Sequence, residues 1–306
     1  PDSVDPEGSI SIINLAFGGT GDVTVGATTT AGFGGFNGQA ASLRAAGVRL
    51  FGPGATVAQD IEPEYIAVSA DSTKAYVTLQ ENNAMATVDF ATGVIESITP
   101  FGLKDHSLAG NGIDPSDRDG PSINIRNVPV VGMYMPDAIA SYTINGQTYL
   151  ITANEGDARD YEGFAEEVRV GSSSYVLDPT LFPDAATLKQ NANLGRLTVT
   201  NQSGDLDGDG DFDQIHVFGG RSFSIWTPDG TQVFDSGDQF EQITAAAYPN
   251  NFNASNDDNS LDNRSDNKGP EPEGVVIGEA YGMTLAFIGL ERIGGIMMYD
   301  VSDPDA

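Results

Sequence analysis

The stretch NKGPEPEGVVIG (residues 267–278) has a carboxylate on each side of a proline, directly before a run of apolar residues. DIEPEYIAVS (60–69) and YMPDAIASY (134–142) repeat the arrangement of a proline, an acid and an apolar run. Proline fixes φ and is tolerated at the first residue of a strand, and short apolar runs bounded by turn residues are typical of strands. Three such strand beginnings indicate an internal repeat.

Each repeat also ends on an acid, after a turn and a second apolar run. The paired acids are 17 or 18 positions apart: Glu64 and Glu81, Asp137 and Glu155, and Glu273 and Glu291. The ends of a β-hairpin are neighbours, so both acids of a pair should lie at the same end of one hairpin. AMATVDF, GIMMYDV and, after a long insertion, GRLTVT are predicted as the third strands of these units.

Repeated units of three or four antiparallel strands predict an all-β fold, and more narrowly a complete or partial β-propeller. Residues 1–306 are predicted to be a single propeller domain or part of one, with polar insertions near 101–126, 156–194 and 250–270. About four or five blades are visible, including one at 211–237 without an acid pair, so a closed ring is expected to need sequence beyond both ends. The inner strand of a blade lies nearest the axis, which would place the six acids around one channel opening.

The net charge of −30, from 44 acidic and 14 basic residues, argues against a nucleic acid or an anionic membrane surface as partner. No apolar run approaches the roughly 18 residues of a membrane span. The absence of cysteine excludes disulfides and thiolate metal sites. The absence of cysteine does not settle the compartment, but the acidic charge fits a secreted, periplasmic or cell-surface protein, a high-salt environment, or a protein that binds cations.

The segment DLDGDGDFD (205–213) predicts a calcium-binding loop. Its acids alternate around Gly210 as in an EF-hand loop, and the predicted metal ligands are Asp205, Asp207, Asp209 and Asp213. The twelfth position holds His216 rather than the usual glutamate, so a further ligand must come from elsewhere. An acidic, solvated turn is the alternative interpretation.

The six repeat acids would repel one another strongly if they converged without compensation, by about 4 kcal/mol for a pair at 4 Å and an effective dielectric near 20. A divalent metal held by Glu64 and Glu273 would offset this repulsion. Pairing with arginine and lysine, or a water-filled channel, would also offset it. A second divalent or transition metal beside calcium is compatible with so many carboxylates.

Several segments together resemble the choice-of-anchor I domain family of bacterial extracytoplasmic proteins. They are VDPEGSISIINL (4–15), EPEYIAVSADSTKAYVTLQENNA (62–84), GNGIDPSDRDG (110–120), YMPDAIASY (134–142), TANEGDARDY (152–161), FGGRSFSIW (218–226) and NRSDNKGPEPEGV (263–275). The resemblance implies a propeller-like fold, and some family members are named atypical alkaline phosphatases. Surface anchoring through regions outside this chain fits the same family.

Two functions follow as hypotheses. The first is a metal-dependent phosphomonoesterase, in which metal polarises a phosphoester and activates water. Its candidate catalytic residues are Glu273, Glu64, Asp137, Glu155, Glu291, Arg118 and Arg264. The second is a non-catalytic extracellular binding or adhesion module in which calcium is structural.

Overall fold

The computed structural model describes residues 5–120 and 122–305, and 37% of the chain is strand against 10% helix. The all-β prediction is therefore confirmed. The strands are β1 (Ser9–Phe17), β2 (Val23–Gly32), β3 (Ile66–Val68), β4 (Lys74–Leu79), β5 (Ala84–Asp89), β6 (Val94–Pro100), β7 (Leu103–Asp105), β8 (Val131–Met133), β9 (Ala138–Ile144), β10 (Gln147–Asn154), β11 (Asp160–Tyr161), β12 (Phe164–Ala165), β13 (Glu167–Arg169), β14 (Thr198–Thr200), β15 (His216–Phe218), β16 (Ser222–Trp226), β17 (Gln232–Asp235), β18 (Pro272–Ala280), β19 (Met283–Leu290) and β20 (Ile296–Asp300).

Helices are few and short, as expected from the scarcity of helical periodicity. They are a 3₁₀ helix (Gly34–Gln39), α1 (Ala40–Ala46), α2 (Val57–Asp60), α3 (Ala185–Leu188) and α4 (Gln239–Ala247). Thr56 begins α2 with a capping box, because its hydroxyl accepts from the Gln59 amide while the Gln59 side chain accepts from the Thr56 amide.

In the first and third repeats, strands that follow one another along the chain also pair side by side in an antiparallel sheet. The first has the order β3-β4-β5-β6, and the third has the order β18-β19-β20. Their hairpins turn where the sequence predicted, and both predicted third strands, β5 and β20, lie beside the second strand of their hairpin. At the second turn Tyr281 and Gly282 both have positive φ, which a tight hairpin turn requires.

The middle sheet differs from the sequence prediction. Its order is β17-β16-β10-β9, so its third and fourth strands come from residues 222–235. GRLTVT, predicted as the third strand, instead supplies β14, which pairs with β13 inside the insertion. The segment 211–237 is accordingly no separate blade, because its strands β16 and β17 complete the middle sheet. The connection between β10 and β16 spans 155–221, beyond the predicted 156–194.

Smaller sheets surround these three. β1 pairs with β2, β11 with β12, and β13 with β14, all antiparallel. β8 lies between β7 and β15 and runs parallel to β15. None of the sheets built by residues 5–120 and 122–305 closes into a barrel.

The first strands of the three repeats lie side by side, with β9 between β3 and β18. The Ser141 hydroxyl of β9 donates to the Val68 carbonyl of β3 at 2.5 Å, and the Thr78 hydroxyl of β4 donates to the Asp137 carbonyl at 3.2 Å. These bonds fix the relative height of the first and second sheets. Glu64 and Asp137, which precede β3 and β9, are thereby brought to one end of these two sheets.

Trp226 is the centre of the core between the first two sheets. Its ring packs edge-on against Tyr134, with centroids 5.1 Å apart, and lies 4.9 Å from Phe101. The indole N–H donates to the Thr152 hydroxyl at 2.8 Å. Buried aromatic contact and a satisfied indole donor are both available here, so the position specifies tryptophan rather than another large apolar residue.

We expect Trp226→Phe to lower the free energy of unfolding by about 1–3 kcal/mol, because it opens a cavity and leaves the Thr152 hydroxyl without its donor. Urea unfolding followed by circular dichroism measures the change. Tyr281→Phe, at an exposed turn position, is the control and should leave the midpoint unchanged. Coincident midpoints for Trp226→Phe and the wild type would contradict this account of the core.

Candidate functional site

The two acids of every repeat lie at the same end of their hairpin. The Glu64 amide donates to the Thr78 carbonyl at 3.0 Å, three positions before Glu81, and the Asp137 amide donates to the Ala153 carbonyl at 3.2 Å, two positions before Glu155. In the third repeat β18 is bulged between Pro272 and Gly274, where the extra residue is Glu273. We call this group of acids the acidic mouth, and its members are Glu64, Glu81, Asp137, Glu155, Glu273 and Glu291.

One half of the acidic mouth, made up of Glu64, Glu81, Asp137 and Glu273, carries like charges and forms no ion pair with lysine or arginine in the described chain. Glu64 is an exposed residue, yet lost hydration at its carboxyl, followed by repulsion from Glu81 and Asp137, raises its pKa to about 8. Burial and the charge of Glu273 likewise raise the pKa of Asp137. Asp157, which the sequence analysis left out, adds to the repulsion on both. Electrostatic repulsion between carboxylates therefore links residues of all three repeats.

Glu81 is the most enclosed acid of this half, with 7% of the residue exposed. Burial, followed by repulsion from Glu62, raises its pKa to about 7. Glu62 is held by Arg159, whose Nε lies 3.2 Å from its Oε1, whereas Oε2 of Glu81 is buried and has no hydrogen-bond partner. A buried carboxylate oxygen without a partner is costly, and a proton or a cation would remove that cost.

The other half of the acidic mouth is compensated by basic side chains. Carboxylate oxygens of Glu155, Glu271 and Glu291 lie within 4.8 Å of one another. The Lys268 ammonium contacts Glu155 at 2.5 Å, and Arg292 Nε lies 3.1 Å from Glu291. Burial raises the pKa of Glu155 to about 7, although the ion pair with Lys268 acts in the opposite direction.

Glu271 organises this compensated half and was not among the predicted site residues. It is fully buried, and three cations converge on it: Arg264 Nε at 2.7 Å, Arg292 Nε at 3.1 Å and Lys268 Nζ at 3.5 Å. Its backbone has φ of 49°, an uncommon value for a non-glycine residue, and its carbonyl accepts from the Glu291 amide at 2.9 Å. The acid before the proline, rather than the acid after it, therefore binds the arginines.

Of the two predicted catalytic arginines, only Arg264 lies beside the acidic mouth, where it forms an ion pair with Glu271. Arg118 is largely exposed and contacts Asp117 at 3.4 Å. The loop that carries it is held elsewhere, because Asp117 also binds Arg196 at 3.0 Å and the Ser116 hydroxyl donates to the Asn191 carbonyl. In the described parts of the chain Arg118 forms no ion pair with an acid of the mouth. The structure therefore gives no contact that supports a catalytic role for Arg118, and that role stays a prediction.

The predicted metal ligands Glu64 and Glu273 each have an electrostatic interaction with Asp137, but they do not form a compact ligand group. The sets of three acids whose oxygens lie within 4.8 Å of one another, among residues 5–120 and 122–305, include neither of them. A cation at this half would therefore be held partly through water, or would draw the exposed side chains together.

The loop at 205–213 turns as its spacing predicts. Asp205 accepts from the Gly208 and Gly210 amides at 2.7 and 3.1 Å, and carboxylate oxygens of Asp205, Asp207 and Asp213 lie within 4.8 Å of one another. Asp209 is outside that group. Asp213 also forms a second compact group with Asp178 and Asp211.

His216, at the twelfth position of the loop, points to other partners. Its Nδ1 lies 2.9 Å from the Ser203 hydroxyl and its Nε2 lies 3.0 Å from Gln214 Oε1. Burial lowers its pKa to about 4, so the ring is neutral near pH 7. A cavity of about 420 Å³ adjoins this face and is lined by Arg49, Met133, Asp205 and His216, among others. The repeat acids do not line it.

Comparison with known proteins identifies relatives. The family model described as choice-of-anchor I domain matches residues 1–304. The chain is 36% identical to Gigasin-3a of Magallana gigas over 119 residues, 37% of this chain and 42% of that protein. It is 29% identical to a mesenchyme-specific cell surface glycoprotein of Strongylocentrotus purpuratus over 279 residues, 81% of this chain and 36% of that protein.

The matched regions cover less than half the length of either relative. A solved structure of Kuenenia stuttgartiensis hydrazine synthase aligns with 80% of this chain and 66% of that chain, at 14% identity and a TM-score of 0.20. That score carries no argument about the fold.

Proposed function

Because the chain belongs to the choice-of-anchor I domain family, we propose that it is an extracellular or cell-surface module that binds calcium at its acidic mouth. Support for the location comes from the cell surface glycoprotein that aligns with 81% of the chain, and from the net charge of −30. In the described residues no helix has the length and apolarity needed to cross a membrane. A bacterial source and surface anchoring through regions outside this chain stay predictions.

The proposed architecture is a β-propeller in which the three repeat sheets are successive blades. The lateral order β3, β9 and β18 supports it, because the innermost strands of neighbouring blades lie side by side around the axis. The common end of the three hairpins would then be one mouth of the central channel. This arrangement explains why an acid recurs at both ends of each hairpin, although a hairpin needs no acid there to fold.

The observation that carries the calcium proposal is the set of unpaired carboxylates in one half of the acidic mouth. Glu64, Glu81, Asp137 and Glu273 form no ion pair with lysine or arginine in the described chain, and the Glu81 Oε2 atom has no hydrogen-bond donor. Hard oxygen ligands are those that Ca²⁺ prefers. A bound Ca²⁺ would offset both the lost hydration and the repulsion that raise the pKa values of Glu64 and Glu81.

A structural calcium at residues 205–213 is a separate part of the proposal. Backbone amides already orient the Asp205 carboxylate. Asp207 and Asp213 provide the other two carboxylate oxygens that lie within 4.8 Å of it. Because the loop is largely exposed, its calcium affinity should be lower than that of an enclosed site.

Phosphoester hydrolysis at the mouth stays a prediction without a supporting contact. The arginines that could clamp a phosphate, Arg264 and Arg292, are each engaged by Glu271. A second divalent or transition metal beside calcium likewise stays a prediction. The geometry therefore favours a binding module over the catalytic function.

Isothermal titration with Ca²⁺ tests the mouth. We expect the double variant Glu64→Gln, Asp137→Asn to bind one Ca²⁺ fewer per chain than the wild type, because two of the unpaired carboxylates lose their charge. Glu279→Gln, which removes an exposed charge from the other end of β18, is the control and should keep the full number.

Equal calcium binding by the double variant and the wild type would contradict the proposal. Hydrolysis of p-nitrophenyl phosphate by the wild type, lost in Glu273→Gln and kept in Glu279→Gln, would instead favour the catalytic function.

A further inference from the structure

Three carboxylates from two of the predicted polar insertions converge, although no spacing in the sequence indicates that they meet. Asp114 and Asp119 come from the polar loop that follows β7, and Asp262 comes from the loop after α4. Carboxylate oxygens of all three lie within 4.8 Å of one another. Asp114 is fully buried, Asp262 is 7% exposed, and the Asp119 side chain is 5% exposed.

The first loop presents its two acids through local hydrogen bonds. Asp114 Oδ2 accepts from the Asn124 amide at 2.6 Å, and Oδ1 accepts from the Ser116 amide at 3.4 Å. Asp119 Oδ2 accepts from the Asn124 side chain at 2.7 Å and lies 3.4 Å from the guanidinium of Arg126. Arg126 is the one basic residue that forms an ion pair with these acids in the described chain.

Hydrogen bonds within the loop after α4 hold Asp262 in place. Asp262 Oδ1 accepts from the Ser265 hydroxyl, which also accepts from the Asn253 side chain at 2.9 Å. The Asp262 amide donates to the Phe252 carbonyl at 2.8 Å. The second carboxylate oxygens of these two acids, Asp119 Oδ1 and Asp262 Oδ2, are buried without any hydrogen-bond partner.

Two buried carboxylate oxygens without hydrogen-bond partners, within a group of three acids, make the folded state less stable. A buried polar atom without a hydrogen-bond partner destabilises the folded protein, and a charged one does so more strongly. Repulsion from Asp114 and Asp119, after burial, raises the pKa of Asp262 to about 7, and burial raises that of Asp114 to about 6. One Arg126 contact at 3.4 Å does not neutralise three carboxylates.

We propose that Asp114, Asp119 and Asp262 bind a hard divalent cation, Ca²⁺, which joins the loop after β7 to the loop after α4. The donor set is made only of carboxylate oxygens, with no imidazole among the three, and this favours Ca²⁺ over Zn²⁺ or copper. The cation would be coordinated by the two oxygens that have no donor. The alternative occupant is a proton shared by the carboxyls, which predicts no response to calcium.

This site is independent of the acidic mouth and of the loop at 205–213, and its role is structural. Glu241 accepts from the Asp114 amide at 2.7 Å and pairs with Arg221, which in turn donates to the Asp114 carbonyl at 3.0 Å. The Arg221 guanidinium also donates to the Ser265 carbonyl at 2.8 Å. Binding of Ca²⁺ at the three acids would therefore fix the same two loops that Arg221 already joins.

The test is Ca²⁺ titration of the full chain against a chromophoric chelator, with melting temperatures measured in EGTA and in millimolar Ca²⁺. We expect Asp262→Asn to bind one Ca²⁺ fewer per chain, or to bind it at least tenfold more weakly, and to show a smaller Ca²⁺-induced rise in melting temperature. Asp257→Asn removes an exposed acid from the same loop and should behave as the wild type. Asp119→Asn provides the same loss of ligand charge should Asp262→Asn fail to fold.

Combining Asp262→Asn with the mouth variant Glu64→Gln, Asp137→Asn separates the two proposals. If the combined variant binds two Ca²⁺ fewer than the wild type, both proposed sites are supported. If only one of the two parent variants binds one Ca²⁺ fewer, the ion belongs to the site altered in that variant. Wild-type calcium number and affinity in Asp262→Asn or Asp119→Asn would overturn the inference. A melting temperature that rises in the asparagine variants but is insensitive to Ca²⁺ in the wild type would instead identify the shared proton.

Discussion

Replacing Glu271 with alanine is expected to lower the free energy of unfolding by about 3 kcal/mol, as for other buried ion pairs from which one partner is removed. Lys268 and Arg292 retain Glu155 and Glu291, but Arg264 loses its ion-pair partner. Urea unfolding at pH 7 measures the loss.

Glu273→Ala is the matched control, since this residue also flanks Pro272 but is exposed and forms no ion pair in the described chain. It should change stability by less than about 0.5 kcal/mol, as is usual for surface substitutions. If both substitutions prove equally mild, Glu271 does not organise the basic side chains of the mouth.

Stability in EGTA is expected to fall by at least about 1–2 kcal/mol between pH 5.5 and pH 8, because Glu81 has a pKa of about 7 in the folded protein and an ordinary value near 4.3 when unfolded. An acid with a raised pKa binds its proton more tightly in the folded state. Its contribution is therefore complete below about pH 4.3 and is lost as the pH rises through about 7. Glu64, Asp114 and Asp262 act in the same direction.

Thermal unfolding across this pH range measures the effect, and Glu81→Gln should flatten the curve, because the neutral amide removes the titrating group that faces Glu62. Glu279→Gln should leave the slope unchanged. Millimolar Ca²⁺ should restore stability at pH 8. A wild-type profile that is flat in EGTA would show that these carboxyls do not titrate as the geometry requires.

The ends of the hairpins could be predicted from the sequence because a hairpin fixes its register locally. Seventeen or eighteen positions around one turn bring both acids to the same end, whatever the rest of the chain does. The proline that starts the strand and the turn residues between the strands are both local signals, so Glu64, Asp137 and Glu155 were placed correctly relative to their strands.

The choice of partners between distant segments could not be predicted in this way. GRLTVT has the pattern of a strand, but its partner β13 and the true third strand β16 are selected by tertiary packing. The same limit applies to the sites. Arg118 is drawn away by Asp117 and Asn191, and Asp262 meets Asp114 and Asp119 across almost half the chain, which no spacing in the sequence indicates.

The middle sheet has a consequence for the order of folding. β10 and β16 are adjacent strands, yet Asn154 and Ser222, which are hydrogen-bonded across them, lie 68 positions apart. Closing a disordered loop of that length is entropically costly and slow. The intervening segment supplies most of one apolar cluster, including Val170, Tyr175 and Leu197, and packs it against Ile113, Val128 and Val130, which precede β8. If that cluster collapses first, it shortens the effective loop. We therefore expect the inserted segment to form early and the middle sheet to close late, so that Glu155, at the junction between them, enters the mouth in the last stage of folding.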